Sequence, residues 1–227
     1  HYAALVSVSS GMVREDALVE VDSLIEAVES VMSQASSFKG RTGGVWAIIS
    51  EHSSPLASLV AYAIGAMIAG NAVVMNPSNR CPLPVFDFYS VTERSGLPGG
   101  VLNLVVDRNE DESTQELAND MRLRGVVASG SGDRMEDMMF LQVDDELRFI
   151  NNLKGMSPML VYRPGDVKAA ARNIIASAFA FSGQRIHSSS KVIVTMDEQQ
   201  RLVDALAEIM KDLVVGDPIY DRTFTGP

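Results

Sequence analysis

The stretch FSGQRIHSSSKVIV, from Phe181 to Val194, combines a Gly-Gln turn, a run of small residues and an apolar segment. This order is typical of a reactive loop that leads into a β-strand. Where such a loop would hold its nucleophile, however, the sequence has Ile186, whose side chain cannot attack a substrate. His187 precedes a serine, but neighbouring residues in a chain entering a strand point to opposite sides, which disfavours proton transfer between them.

A second candidate site is the turn ASGSG, from Ala128 to Gly132, between a predicted strand and a predicted helix. A turn of this kind can present backbone N–H groups and a helix N-terminus to an anion. The third glycine of the dinucleotide-binding spacing is missing, because Met135 occupies its place. Taken alone, the motif leaves two interpretations open, a nucleotide-binding turn and a plain tight turn.

The remaining reactive residue types give no metal or disulfide signal. His1, His52 and His187 lack the spacing of zinc ligands, so we expect no metal site. Cys81 is the only cysteine, which rules out an internal disulfide and favours a reducing compartment. Because Cys81 precedes a proline just ahead of a helix, we interpret it as a packed side chain and not as a reactive thiol.

The composition is that of a soluble globular protein, with 227 residues, 46% hydrophobic and 21% charged. A net charge of −10 disfavours unspecific binding to nucleic acids or to anionic membranes. The most apolar window, Pro55–Val74, is interrupted by two glycines and an asparagine, so it indicates a buried helix, a turn and a strand, not a membrane span. No signal peptide is recognised, and we expect a cytoplasmic protein.

Strands and helices alternate from residue 45 onward, which predicts βαβ units around a parallel sheet covered on both faces. The predicted strands are Val45–Ser50, Ala72–Met75, Val101–Val106 and Gly125–Ala128, and the helices between them are Pro55–Ala69, Pro84–Ser95 and Ser113–Asp120.

A second α/β module follows, with strands at Met159–Tyr162 and Lys191–Thr195 and helices at Asp166–Phe181 and Asp197–Asp212. Two further helices are expected, a polar one at Asp133–Gln142 and one at Arg14–Ala35, whose acidic residues are most simply a solvated face.

Read in order, several segments resemble the aldehyde dehydrogenase superfamily from about residue 15 to the end. They are GVWAIISEHSSPL (44–56), AGNAVVMNPSNRCPL (69–83), SGLPGGVLNLV (95–105), GVVASGSG (125–132), LKGMSP (153–158), FSGQRIHSSSKVIV (181–194) and VVGDPIYDRTFTGP (214–227). The last two are most similar to the branch that contains the pyrroline-carboxylate dehydrogenases.

The resemblance implies a Rossmann-like NAD domain, followed by a catalytic domain in which a cysteine attacks the aldehyde and a glutamate activates water. We therefore expect an N-terminal helical segment at 1–43, a nucleotide-binding-type domain at 44–150 and a partial catalytic-type domain at 151–227.

At the catalytic positions of this family the chain differs in each case. Ile186 stands where the family has its nucleophilic cysteine, and Asn152 stands where it has the general-base glutamate. An amide is essentially non-basic at neutral pH. Ser53 stands at the position of the asparagine that helps to stabilise the oxyanion, and it offers a shorter donor.

The cofactor site is also altered. The resemblance assigns its remnant to Ile49, Ser50, Asn76, Ser78, Asn79, Gly130 and Ser131. Asn76 replaces the lysine and Asn79 the glutamate that bind the adenosine ribose, and the Val-Gly after the phosphate turn is Arg134-Met135.

These replacements predict a catalytically silent homologue with no bound cofactor, acting as a structural or partner-binding module or as an oligomer. Two alternatives stay open: an active NAD(P)-dependent dehydrogenase with displaced catalytic groups, and a nucleotide-binding regulatory domain. Cys81 distinguishes the silent homologue from the active dehydrogenase, because in the active enzyme this cysteine would have to reach the active site to serve as nucleophile.

Overall fold

A computed structural model describes residues 1–37, 43–130, 147–153 and 155–226. The predicted polar helix at Asp133–Gln142 and the candidate residue Ser131 lie outside these ranges. Within them, no helix combines the length and the apolar character that crossing a bilayer requires.

The larger sheet has five parallel strands in the order β3-β2-β1-β4-β5. They are β1 (Val45–Ser50), β2 (Ala72–Asn76), β3 (Leu102–Leu104), β4 (Leu123–Gly130) and β5 (Arg148–Leu153). The prediction of a parallel α/β sheet is therefore confirmed. Four of its strands were predicted, one fewer than the structure has. The missing strand, RFINNL, carries an arginine and two asparagines at the sheet edge, and so it lacks the continuous apolar run that marks a buried strand.

The helices of the first module are α1 (Tyr2–Ser10), α2 (Arg14–Ser33), α3 (Ala57–Ile68), α4 (Leu83–Arg94) and α5 (Glu110–Ala118). Four of them were predicted, with their ends within three residues of the observed ones. Helix α1 was not predicted as a separate element, because its valines and serines are only moderate helix formers. Its Val6 is buried with Met12 and Phe181, so tertiary packing stabilises this helix.

The alternating side chains of β1 divide the core into two layers. Ile48 packs with residues of α3 and with Val127 on one face of the sheet. Ala47 and Ile49 pack on the other face, where Leu117 of α5 contacts their cluster. The sheet therefore has buried apolar clusters on both faces, as its continuous apolar strands predicted.

The second module contains two parallel strands, β6 (Pro158–Val161) and β7 (Lys191–Val194), with helices α6 (Val167–Phe179) and α7 (Met196–Met210). Both helices pack on the face that carries Val161 and Val192. On the opposite face, Leu160 and Ile193 are neighbours in the strand register and are 72% and 54% exposed. One face of this small sheet is thus apolar and open.

Candidate functional site

Three residues that the sequence assigned to catalytic positions line one cavity. Ser53, Asn152 and Ile186 surround a space of about 410 Å³, although they lie up to 133 positions apart in the chain. Its other lining residues are Glu20, Ser23, Ala27, Ser54, Ala57, Ser58, Ala61, Tyr62, Arg185 and His187. The lining therefore offers hydroxyl groups, one amide, one guanidinium, one imidazole and one carboxylate, but no thiol.

Helices α1 and α2 hold the loop that carries Ile186. Asp16 Oδ2 accepts a hydrogen bond of 2.6 Å from the backbone N–H of Phe181. Gln184 Nε2 donates to the carbonyl oxygen of Ser10 at 2.7 Å. Phe181 and Ser182 have left-handed backbones, with φ of 57° and 55°, a conformation that is rare for side chains other than glycine. The contacts with the N-terminal helices stabilise this strained turn.

Arg185 links the loop to α2 by charge. Its guanidinium lies 3.2 Å from the centroid of the buried Phe181 ring, which is a cation–π arrangement. Burial lowers the pKa of Arg185, and the negative charges of Glu20 and Asp16 oppose that shift. Burial raises the pKa of Asp16, whereas its hydrogen bond from Phe181 and the nearby Arg185 act in the opposite direction.

Asn152 and Ser53 reach the cavity from the main sheet and from the turn before α3. Asn152 lies on β5 directly opposite Ser129 of β4, and its Nδ2 donates to Ser129 Oγ at 3.3 Å. Ser53 is buried in the turn that follows β1. The side chains at the predicted general-base and oxyanion positions are thus an amide and a hydroxyl.

Glu20 is a cavity residue that sequence reasoning missed. The acidic residues of α2 were expected to form a solvated face, but Glu20 is only 5% exposed, so that expectation is wrong for this position. Its Oε1 accepts hydrogen bonds from Ser54 Oγ at 2.9 Å, from Ala57 N at 3.0 Å and from Leu56 N at 3.4 Å. A carboxylate here satisfies free N–H groups at the start of α3 and interacts favourably with the helix dipole.

Cys81 is buried ahead of α4 and is not among the residues that line the cavity. Burial raises its pKa to about 11, so the thiol is protonated at neutral pH. His187 lines the cavity but is largely exposed. In the described ranges, no group of three or more histidine, cysteine, aspartate or glutamate side chains is arranged to hold a metal ion.

The crevice where a nucleotide would bind in such a sheet lies at the carboxyl ends of β1 and β4, where the strand order reverses. The two asparagines of the remnant site flank it and bond to the protein itself. Asn76, 2% exposed, donates through Nδ2 to the carbonyl of Val105 at 3.0 Å and accepts from Thr114 Oγ1 at 3.3 Å. Asn79 Nδ2 donates to the carbonyl oxygens of Asp107 and Arg108 at 3.3 and 3.0 Å.

The other remnant positions offer little to a cofactor. Ile49 packs inside the core cluster under the sheet. Ser78 Oγ is buried and accepts from the N–H of Arg80 at 3.2 Å. Ser50 Oγ is buried without a hydrogen-bond partner in the described part of the chain. The side chain of Glu51 covers Gly130, because a Cβ on Gly130 would lie 2.6 Å from Cβ and Cγ of Glu51. These residues do not fit a bound dinucleotide.

Comparisons with known proteins agree with the fold. The sequence model of the aldehyde dehydrogenase family matches residues 1–227. The 1-pyrroline-5-carboxylate dehydrogenase of Geobacillus thermodenitrificans is 31% identical over 206 residues, which are 88% of this chain and 40% of that protein. The corresponding enzyme of Bacillus cereus is 31% identical over 190 residues, 81% of this chain and 37% of its own length. The chain therefore spans about two fifths of these relatives.

Solved structures show the same architecture over the whole chain. An aldehyde dehydrogenase from Brucella melitensis superposes with a TM-score of 0.89 at 24% identity, covering 100% of this chain and 50% of its own. A proline utilization A mutant from Bradyrhizobium japonicum superposes with a TM-score of 0.91 at 24% identity, covering 100% of this chain and 25% of its own. At this identity the likeness shows the fold alone. Together with the full-length family match, it establishes that this chain belongs to the aldehyde dehydrogenase family.

Proposed function

We propose that this chain is a catalytically silent member of the family that acts as a structural or partner-binding module. The observation that carries the proposal is the chemistry of the 410 Å³ cavity. Ile186 and Asn152, which the resemblance assigns to the positions of the nucleophile and the general base, both line this cavity. An isoleucine cannot form the covalent adduct with an aldehyde, and an amide cannot take a proton from water at neutral pH.

The carboxylate that does line the cavity, Glu20, is a poor substitute for the missing base. Its Oε1 already accepts from Ser54 Oγ, Leu56 N and Ala57 N. All three bonds lie at the start of α3, so this oxygen is already engaged by the protein. The single thiol, Cys81, lies outside the cavity lining and has its pKa raised to about 11 by burial, which argues against a displaced nucleophile.

The test is an assay with a panel of aldehydes, including glutamate semialdehyde, in which the absorbance of reduced NAD or NADP is followed. We expect no turnover above the rate without protein. Turnover that disappears in Cys81→Ala would refute the proposal and favour a dehydrogenase with a displaced nucleophile. The double variant Ile186→Cys with Asn152→Glu is expected to stay inactive, because the cofactor contacts are altered as well.

Nucleotide binding is expected to be weak for a separate reason. Hydrogen bonds to charged groups contribute about 1.5–3 kcal/mol each, against about 1 kcal/mol for neutral ones. Losing a lysine and a glutamate at 76 and 79 therefore weakens binding by on the order of ten- to a thousandfold. We expect NAD and NADP to bind no tighter than about millimolar in a calorimetric titration. A micromolar dissociation constant would favour the regulatory-domain alternative.

The open face of β6 and β7 supports the partner-binding part of the proposal. Parallel sheets are normally covered on both faces, and a two-stranded sheet is marginal by itself. The exposed Leu160 and Ile193 therefore suit a polypeptide partner with an apolar face. A second copy of the chain is the simplest such partner, because the face would meet its own equivalent in a symmetric dimer.

Light scattering after size-exclusion chromatography tests this assignment against the chain mass of 24.5 kDa. We expect twice that mass for the native protein and the single-chain mass for Leu160→Glu. Met121→Glu is the matched control, since Met121 is an exposed apolar residue, like Leu160, but lies between α5 and β4, outside this sheet. A native protein that stays monomeric at high concentration would refute the dimer, as would a dimer that Leu160→Glu leaves intact.

A further inference from the structure

We propose that a separate cavity, between the helices α2 and α3 and the strands β4 and β5, binds a small neutral aromatic molecule that carries a hydrogen-bond acceptor. The cavity has a volume of about 370 Å³. It shares two residues of α3, Ala61 and Tyr62, with the 410 Å³ cavity described above. None of the described positions that the family resemblance assigned to catalysis or to the cofactor lines it.

The walls of this cavity are apolar on both the sheet side and the helix side. Val127 and Ile150 are register neighbours on β4 and β5, and Ile150 is 45% exposed because the helices do not cover this end of the sheet completely. On the helix side, Gly65 of α3 has no side chain. Outside the backbone of α3, the nearest atom to a Cβ at this position would be Val31 Cγ1 of α2, 3.9 Å away. The missing side chain at Gly65 therefore helps to keep the space open.

Two aromatic side chains and one donor define what kind of molecule suits the cavity. Trp46 of β1 and Tyr62 of α3 both line it and are partly buried. Aromatic rings bind a flat aromatic partner by stacked or edge-to-face contacts that add to the effect of apolar burial. The indole N–H of Trp46 makes no hydrogen bond within the described part of the chain, although such a group usually has a partner when buried. An acceptor oxygen on the ligand would supply that partner.

The lining also requires the ligand to be uncharged. No aspartate, glutamate, lysine, arginine or histidine is among the described residues that line the cavity. A charged ligand would lose its water there without gaining an opposite charge, which is far more costly than burying a neutral group. The amide of Asn71 is already engaged, since Nδ2 donates to the carbonyl of Ala66 at 3.0 Å and Oδ1 accepts from the N–H of Gly43 at 2.7 Å. Apolar walls with few polar groups are typical of small-molecule sites.

The experiment titrates the native full chain with naphthyl methyl ketone and follows the indole N–H resonance of Trp46 by NMR. Trp46 is the only tryptophan, so a single indole signal reports on the cavity. We expect this resonance to shift with a saturable dependence on the ketone. Naphthoate has nearly the same shape but carries a charge, and it should bind about tenfold more weakly or worse. No saturable shift with the ketone, or equal affinity for naphthoate, would overturn the proposal.

Two variants of α3 that gain the same side chain locate the bound ketone. Gly65→Leu places a side chain in the cavity and should lower the affinity by about tenfold or more. Leucine is a better helix former than glycine, so this variant should fold, which circular dichroism verifies. Ser58→Leu is the control, because Ser58 lines the 410 Å³ cavity and not this one. Binding that Gly65→Leu retains, or that Ser58→Leu loses to the same extent, would refute the proposal. If either variant fails to fold, the comparison of ketone and naphthoate on the native protein decides.

Discussion

Glu20 is the residue whose replacement should destabilise the protein most clearly. It is a buried carboxylate on α2 whose single oxygen Oε1 accepts from one hydroxyl and two backbone N–H groups at the start of α3. The first turn of α3 carries no acidic residue of its own, and its N-terminal flanking residue, Leu56, makes no side-chain capping bond. The N-terminus of this helix therefore takes its capping acceptor from another element.

The size of the effect follows from these three bonds. Hydrogen bonds to a charged group contribute about 1.5–3 kcal/mol, but the one at 3.4 Å is long and weak. Loss of a helix N-cap costs about 1 kcal/mol in most proteins. Ala57 also lines the cavity, so water can replace the carboxylate at its N–H, and the total loss of stability stays near the lower end of this range. We expect Glu20→Ala to lower the free energy of unfolding by about 3 kcal/mol, and Glu20→Gln, which keeps an acceptor oxygen, by about 1–2 kcal/mol.

Urea unfolding followed by circular dichroism measures both values. Glu26→Ala provides the control, because Glu26 lies on the exposed side of the same helix and loses the same charge. It should change the free energy of unfolding by less than about 0.5 kcal/mol. If Glu20→Ala were as stable as Glu26→Ala, the carboxylate would not be capping α3, and the reasoning would be wrong.

Three further changes are predicted from single sites. Gly125→Ala should destabilise the protein by about 1–3 kcal/mol in urea unfolding, because the new Cβ would lie 2.5 Å from ring atoms of Trp46, whereas Gly99→Ala, with open space around it, should be close to neutral. Cys81 should react with a thiol reagent at pH 8 no faster than the chain unfolds, since burial raises its pKa to about 11; rapid labelling of the folded protein would contradict this. Burial raises the pKa of Asp16, so the folded state binds this proton more readily than the unfolded chain. Burial of the ionised Asp16 therefore costs no stability below the pKa of the unfolded chain, about 3.9. The cost grows as the pH rises through the pKa of Asp16 in the folded protein. Asp16→Asn should flatten stability against pH in that range, and an unchanged profile would show that Asp16 is not the group responsible.

The sequence predicted those elements whose pattern is local. Continuous apolar runs between glycine turns gave β1, β2 and β4, and the helical spacing of leucines gave α7. Strand β5 was missed because an edge strand need not be apolar. Its residues are recognisable as a strand only from their pairing with β4. Helix α1 was missed because its stability comes from packing against Met12 and Phe181 and not from helix propensity.

The site shows the same difference between residues with a local pattern and residues that act on distant parts of the chain. Ile186, Asn152 and Ser53 could be placed from resemblance, because Ile186 and Ser53 lie inside recognisable segments and Asn152 directly precedes one. Glu20 could not be placed, since it acts on residues 34 to 37 positions away and its own helix offers several other acidic residues of equal appearance.

The asparagines beside the crevice bear on the proposed silent role. Buried polar groups destabilise a fold by about 1–3 kcal/mol each when they lack a partner. A lysine or glutamate that binds the ribose of a nucleotide would be left without that partner when the nucleotide is absent. Asn76 and Asn79 do have hydrogen-bond partners, because their side-chain amides donate to backbone carbonyls between β3 and α5. Among the described side chains of the remnant site, the buried hydroxyl of Ser50 lacks a hydrogen-bond partner. Under the proposed structural role, these amides use hydrogen bonds within the chain in place of contacts with a cofactor.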